Sequence, residues 1–122
     1  MKLLASAPTT QHRFTAYGEG YVLVNGARHE ASVIVLPERI EPWAVAGFDA
    51  LTEAHFAALA ALAPEVVLLG TGSRLRFPPP RLAAPLARAG IGLEVMDVQA
   101  ACRTFNILAA EERHVAAALL FS

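Results

Sequence analysis

Between Pro64 and Pro80 the chain reads PEVVLLGTGSRLRFPPP. The run from Val66 to Gly70 is apolar at consecutive positions rather than alternate ones, which predicts a strand covered on both faces. Gly70-Thr71-Gly72 then ends it, in the manner of strands that lead into phosphate-binding turns. The dinucleotide fingerprint needs a third glycine to bring helix and strand together, and Leu75 stands in its place. A Walker loop needs Gly-Lys-Ser/Thr at its end, and the segment has no lysine. Three prolines at 78 to 80 hold the chain extended where either motif requires a helix to begin. Both nucleotide schemes are therefore disfavoured. What remains is a Gly-Thr-Gly-Ser-Arg turn at the carboxyl end of a parallel strand, where open α/β sheets place ligands. Its backbone N–H groups with Ser73, Arg74 and Arg76 would suit a small anion or a partner's carboxylate. On the plainer structural reading the glycines only supply positive φ and the arginines face solvent.

Upstream, RFTAYGEGYVLVNGARHEASVIVLP alternates β-formers with turn signals. Asn25-Gly26 tolerates the positive φ values of a tight hairpin turn, so the N-terminal region reads as a β-hairpin or meander. SVIVLP is a buried strand closed by Pro37, and PERIEPWAVAGFDAL reads as a loop. Thr52 is placed to cap a helix carrying Phe56, Leu59 and Leu62 at helical spacing, which Pro64 ends. Downstream, PPPRLAAPLARAG gives a helix kept short by Pro85 and stopped at Gly90. IGLEVMD is a strand, and Asp97 is placed to cap VQAACRTFNILAA. On that helix Val98, Ala101, Cys102, Phe105 and Leu108 form the apolar stripe. VAAALLFS is a last strand. Strand-helix-strand units of this length join parallel neighbours, which predicts an α/β domain with a mostly parallel central sheet flanked by helices.

At 122 residues with 55% apolar and 17% charged side chains, the chain reads as one domain over residues 1–122. Every apolar stretch is broken short of the roughly 18 residues that cross a bilayer, so no membrane insertion is expected. The apolar part of MKLLASAP is two leucines, too few for a secretion signal, which predicts a cytoplasmic protein. Nine arginines to one lysine in an alanine-rich chain suits a GC-rich bacterial genome.

The net charge of −1 hides an uneven distribution: Glu19 to Glu65 holds seven acids and two arginines, and Val66 to Leu93 four arginines (Arg74, Arg76, Arg81, Arg88) and no acid. Neither a large basic excess nor interleaved aromatics points to nucleic acid. His12, His29, His55 and His114 show no ligand spacing and Cys102 is the sole cysteine, so neither a metal nor another cofactor is expected. Cys102, on an apolar helix face, is expected to be inert, and no catalytic residue is identified. For Asp97, Thr104 and Asn106 the plain expectation is local: a cap, a back-bond to a carbonyl, and an end to the helical face. Arg113 is expected to pair with Glu111 or Glu112.

Together, LLGTGSRLRFPPP, GIGLEVMDVQAACRTFNIL and EERHVAAAL resemble a family of small α/β proteins filed as a domain of unknown function. The eukaryotic members of that family include assembly factor 3 of the mitochondrial NADH dehydrogenase. The resemblance implies a three-layer unit with a mixed central sheet, an N-terminal β-hairpin, and a last strand antiparallel to the rest. It places shared polar positions at Gly70, Thr71, Gly72, Asp97, Thr104, Asn106 and Arg113. Where relatives often carry Gly-Arg before the last strand, this chain has Glu112-Arg113. The implied role is a non-catalytic interaction module with protein partners, respiratory complex subunits among them. The competing expectation is a small-anion or small-molecule binding protein, with its pocket between the Gly70 turn and the helix from Asp97 to Asn106. Exposed strand edges in the hairpin are compatible with a homodimer.

Overall fold

A computed structural model describes residues 11–121, so the N-terminal MKLLASAP reading lies outside the described residues. The fold is mixed α/β, with two sheets and three helices. Strands β1 (Phe14–Gly18), β2 (Tyr21–Val24) and β3 (Ala27–His29) form a three-stranded antiparallel meander. Asn25 and Gly26, at φ 49° and 86°, make the tight turn between β2 and β3 that their sequence predicts.

The second sheet contains β4 (Val33–Leu36), β5 (Arg39–Pro42), β6 (Val66–Thr71), β7 (Gly92–Met96) and β8 (Val115–Leu120), in the order β5-β4-β8-β6-β7. Strand β6, the PEVVLLG segment, is central and pairs in parallel with both β7 and β8. Strand β4 pairs antiparallel with β5 and β8. The sheet is thus mixed: two of its four pairings are parallel and two antiparallel, and β4 alone runs against the other four strands. The last strand, expected to oppose the rest, instead runs with β6, and β4 is the reversed strand. The reason lies in helix α3 (Val98–Ala110), which at 13 residues is about 20 Å long. Leaving the carboxyl end of β7, it returns the chain to the amino end of the sheet, so β8 starts beside β6 and follows its direction. Strand β5 falls where a loop was expected: only Ile40 of Arg39-Ile40-Glu41-Pro42 is apolar, a composition suited to a sheet edge.

Each face of this sheet has its own core. On one side α3 and the meander enclose Phe14, Val22, Val24, Val35, Leu68, Cys102, Phe105 and Leu119. Phe14 meets Phe105 edge-on at 5.2 Å between centroids. On the other, α1 (Glu53–Ala61) and α2 (Ala84–Arg88) cover Ile34, Trp43, Phe56, Leu59, Val67, Leu69 and Leu86. Burying side chains of this size stabilises the fold by about 1.5 to 3 kcal/mol each. Pro85, expected to shorten or kink its helix, falls in the first turn of α2, where it has no hydrogen bond to break. Before it Pro80–Ala83 forms a 3-10 turn.

The helix ends explain two sequence details. Thr52 caps α1 and its N–H donates to Nδ1 of His55 at 2.9 Å. Nε2 of His55 lies 3.0 Å from the Ala44 carbonyl, which requires the proton on Nε2. At the far end of α3, the N–H groups of Glu112 and Arg113 donate to the carbonyls of Ala109 and Leu108, at 2.9 and 3.0 Å. This double closure puts Glu112 at φ 63°, the left-handed position that glycine occupies most cheaply. Replacement by glycine is therefore expected to stabilise the domain by about 1 kcal/mol, net of glycine's unfolded-state entropy. Urea denaturation of Glu112→Gly checks this, and a fall in stability would contradict the strain assigned to Glu112.

Candidate functional site

The Gly-Thr-Gly-Ser-Arg turn is closed by its own side chains. Thr71 is fully buried, and its hydroxyl donates to the Arg74 carbonyl at 2.8 Å while accepting from the Arg76 N–H at 3.1 Å. The Arg76 guanidinium reaches back to the Thr71 carbonyl at 3.4 Å and lies over the Phe48 ring, 4.5 Å from its centroid. Arg76 is thus built into the turn, whereas Arg74 and Ser73 are exposed. Gly72, at φ 87°, turns the chain so that its carbonyl accepts from the Val98 N–H at 3.0 Å.

Gly70 does for packing what the third glycine of a dinucleotide fingerprint does. A Cβ placed there would come within 2.8 Å of Leu119 Cδ2, 3.2 Å of Val98 Cα and 3.3 Å of Ala101 Cβ. Absence of a side chain is what lets the first turn of α3 lie against β6. Asp97 then caps that turn by accepting from the Ala100 N–H at 2.8 Å, as its position in the sequence predicts.

A cleft of about 310 Å³ opens beside this junction, beyond the carboxyl ends of the parallel strands. Its walls are the β1–β2 turn from Gly18 to Gly20, Gly72 and Ser73, the α3 residues Asp97, Val98 and Gln99, and Phe121. Both acidic walls, Glu19 and Asp97, face a space that no basic side chain lines. The first-turn donors of Val98 and Ala100 are already engaged, by Gly72 and Asp97. The charge and the spent donors make this a poor seat for an anion.

Of the residues singled out in the sequence, Gly72, Ser73 and Asp97 meet at the cleft. The others do not join them. Thr104 is half-buried along α3. Asn106 has a task that helix periodicity alone does not disclose: its Oδ1 accepts from the Phe14 N–H at 2.9 Å and its Nδ2 donates to the Phe14 carbonyl at 2.8 Å. The amide thus docks β1 on α3 as a strand would, across a span of 92 residues. Arg113 lies at the opposite end of the sheet, where it pairs with Glu65 at 2.8 Å rather than with Glu111 or Glu112. Strand pairing brings β6 and β8 together at their starts and puts the two residues in reach.

Cys102 is fully buried, and burial pushes its thiol up to about 12, a poor nucleophile. Arg103 is raised by its hydrogen bond to the Tyr17 hydroxyl. Among the described residues, no group of three or more His, Cys, Asp or Glu side chains converges to hold a metal ion.

Two of the three large apolar side chains that stand exposed among the described residues, the third being Ile107 on α3, fall in a segment the sequence reading did not mark as apolar surface. Phe77 is 70% exposed and Leu75 49%, both in the segment between the Thr71 closure and the 3-10 turn. Their signal was present in SRLRFPPP: apolar residues outside any helical or strand period, next to prolines that keep them out of either.

The fold and junction define a small mixed α/β domain with an antiparallel meander, and sequence likeness narrows it. Residues 14–120 match the family described as protein of unknown function (DUF498/DUF598), and the chain belongs to that family. A solved Bordetella parapertussis protein is 42% identical, with a TM-score of 0.87 over 94% of this chain and 100% of its own. A Bordetella pertussis structure described as a Mth938-like domain is 37% identical, with a TM-score of 0.79 over 94% of this chain and 89% of its own. Among curated proteins, the NADH dehydrogenase [ubiquinone] 1 alpha subcomplex assembly factor 3 of Bos taurus is 35% identical over 86% of this chain. The matched region spans 58% of that bovine protein's length.

Two measurements test these assignments. Thr71→Val removes the hydroxyl that closes the turn and is expected to destabilise by about 1 to 3 kcal/mol. Hydrogen exchange at the Arg76 amide should rise, and an unchanged rate would show that the turn closes without it. The second concerns Glu65, whose carboxyl is held below its ordinary 4.5 by the hydrogen bond from Arg113 and then by the His114 N–H. A depressed folded-state value contributes stability above the unfolded value and loses it as the pH falls through the folded one. The exposed pair is worth little at neutral pH. Arg113→Ala should be slightly less stable than the parent there, and the difference should vanish in acid. A gap that widened in acid would contradict this pairing.

Proposed function

We propose that this chain is a non-catalytic interaction module, an assembly or accessory factor for a respiratory NADH dehydrogenase, making its contact through the exposed segment from Ser73 to Arg81. The observation that carries the reading is the 35% identity to assembly factor 3, which extends over 86% of this chain. Two features of the chain support it. The Thr71 hydroxyl, the Arg76 N–H and the Gly72 carbonyl are engaged in holding the turn rather than left free for a substrate. The side chains that face outward beyond it, Arg74, Leu75 and Phe77, are of kinds enriched in binding surfaces or costly to leave in water. The reading places the chain in a bacterial cytoplasm, working with subunits of the complex while they are being joined.

Disruption of the gene in its own organism tests this. Native gel electrophoresis should show less mature NADH dehydrogenase and more partly assembled material, restored by the wild-type chain and not by Arg74→Glu with Phe77→Ser. Arg76 is left intact because it holds the turn. Normal levels of the mature complex after disruption would overturn the reading.

The cleft beside Asp97 favours a second reading, a small-molecule binding protein. Its acidic walls suit a neutral or cationic polar ligand. A thermal-shift screen of amines, nucleosides and carboxylates separates the two, because a ligand that binds the native state raises the melting temperature by mass action.

A further inference from the structure

The segment from Arg74 to Arg81 has an order of side chains that a solvent-facing connection does not need. Leu75 and Phe77 stand 49% and 70% exposed, Pro79 and Pro80 continue the apolar surface, and exposed Arg74 and Arg81 stand at its two ends. No acidic residue occurs from Val66 to Leu93. Of the acids on the elements alongside, Glu53 is paired with Arg88 at 3.2 Å, and Asp49 follows the Phe48 on which Arg76 rests.

This segment is held in place before anything binds to it. The Thr71 hydroxyl fixes one end, Arg76 is anchored on Phe48, and the prolines restrict the rest. Docking would therefore order little that is not already ordered.

Resting on the reading that this segment is the contact surface, we propose that what it contacts is an anionic lipid surface. Phe77 and Leu75 would enter the boundary between headgroups and acyl chains, with Arg74 and Arg81 on lipid phosphates. A protein partner would have to supply an apolar seat and two acids in matching positions. An anionic bilayer presents apolar depth beside negative charge, and this stretch pairs exposed apolar side chains with flanking exposed arginines and no acid of its own. The contact is peripheral, since no helix among the described residues is long and apolar enough to cross a membrane.

The test is co-sedimentation of the whole chain with vesicles containing phosphatidylglycerol, against vesicles of phosphatidylcholine alone. The wild type should partition onto the anionic vesicles and be released by salt. Phe77→Ser should lower that partition roughly tenfold, and Arg74→Glu with Arg81→Glu should abolish the preference for the anionic lipid. These side chains are exposed, so circular dichroism should show the variants folded. As a second measurement, the emission of Phe77→Trp should shift to the blue on anionic vesicles, with the buried Trp43 unchanged. Wild-type protein left in the supernatant, or equal partition of Phe77→Ser, would overturn the inference. If vesicles are ignored while rescue of NADH dehydrogenase assembly still depends on Arg74 and Phe77, the segment contacts protein, and the proposed function stands without this inference. If vesicles are bound as described but gene disruption leaves the complex normal, the lipid contact stands and the proposed function falls.

Discussion

The approach of α3 to β6 at Gly70 is the contact on which the rest of this architecture depends. A methyl group at that position would meet the Val98 backbone at 3.2 Å and Leu119 Cδ2 at 2.8 Å, so helix and strand would have to part. Held close, the helix brings the Val98 N–H within 3.0 Å of the Gly72 carbonyl, and Asp97 is left free to cap. The same approach lays Ala101, Cys102 and Phe105 over Leu68 and Leu119, which together with Phe14 and the meander make one of the two cores. Asn106, one turn beyond Cys102, then anchors β1 by its amide. A single position without a side chain thus governs both the core beneath α3 and the turn at its start.

How much of this was legible in the sequence varies with the kind of signal. Buried strands with consecutive apolar residues, β4, β6 and β8, were legible because burial on both faces leaves no choice of residue. Thr52, Asp97 and Asn25-Gly26 were legible because capping and tight turns select residues one position at a time. Strand β5 was not, because an edge strand is half solvated and Arg39-Ile40-Glu41-Pro42 has the composition of a loop. The direction of β8 was missed for a different reason. Periodicity finds a strand but not its neighbour, and only the return path along α3 sets it between β4 and β6.

The candidate site divides in the same way. Gly70, Thr71 and Gly72 read as a ligand-binding turn and Asp97 as a helix cap, and the structure brings all four together where β6 meets the start of α3. Asn106 and Arg113 are coupled to Phe14 and Glu65, partners 92 and 48 residues away, a distance no local pattern encodes. Glu19 and Phe121 come to the cleft from opposite ends of the chain by the same route.

A phosphate-binding turn keeps its central cation and the helix donors beside it free, and here Arg76 and the first turn of α3 are committed to the fold. The Arg76 N–H is given to Thr71, its guanidinium to the Thr71 carbonyl and the Phe48 face, and the first donors of α3 to Gly72 and Asp97. What a nucleotide would have ordered, the chain orders by itself. One consequence is that SRLRFPPP leaves the sheet in a fixed direction rather than as a loose connection, so the side chains at its outer edge have fixed positions too. Free energy spent on closing the turn is recovered as preorganisation of Leu75 and Phe77. The glycines that look like a binding motif therefore serve the fold, by holding the neighbouring segment in a fixed position.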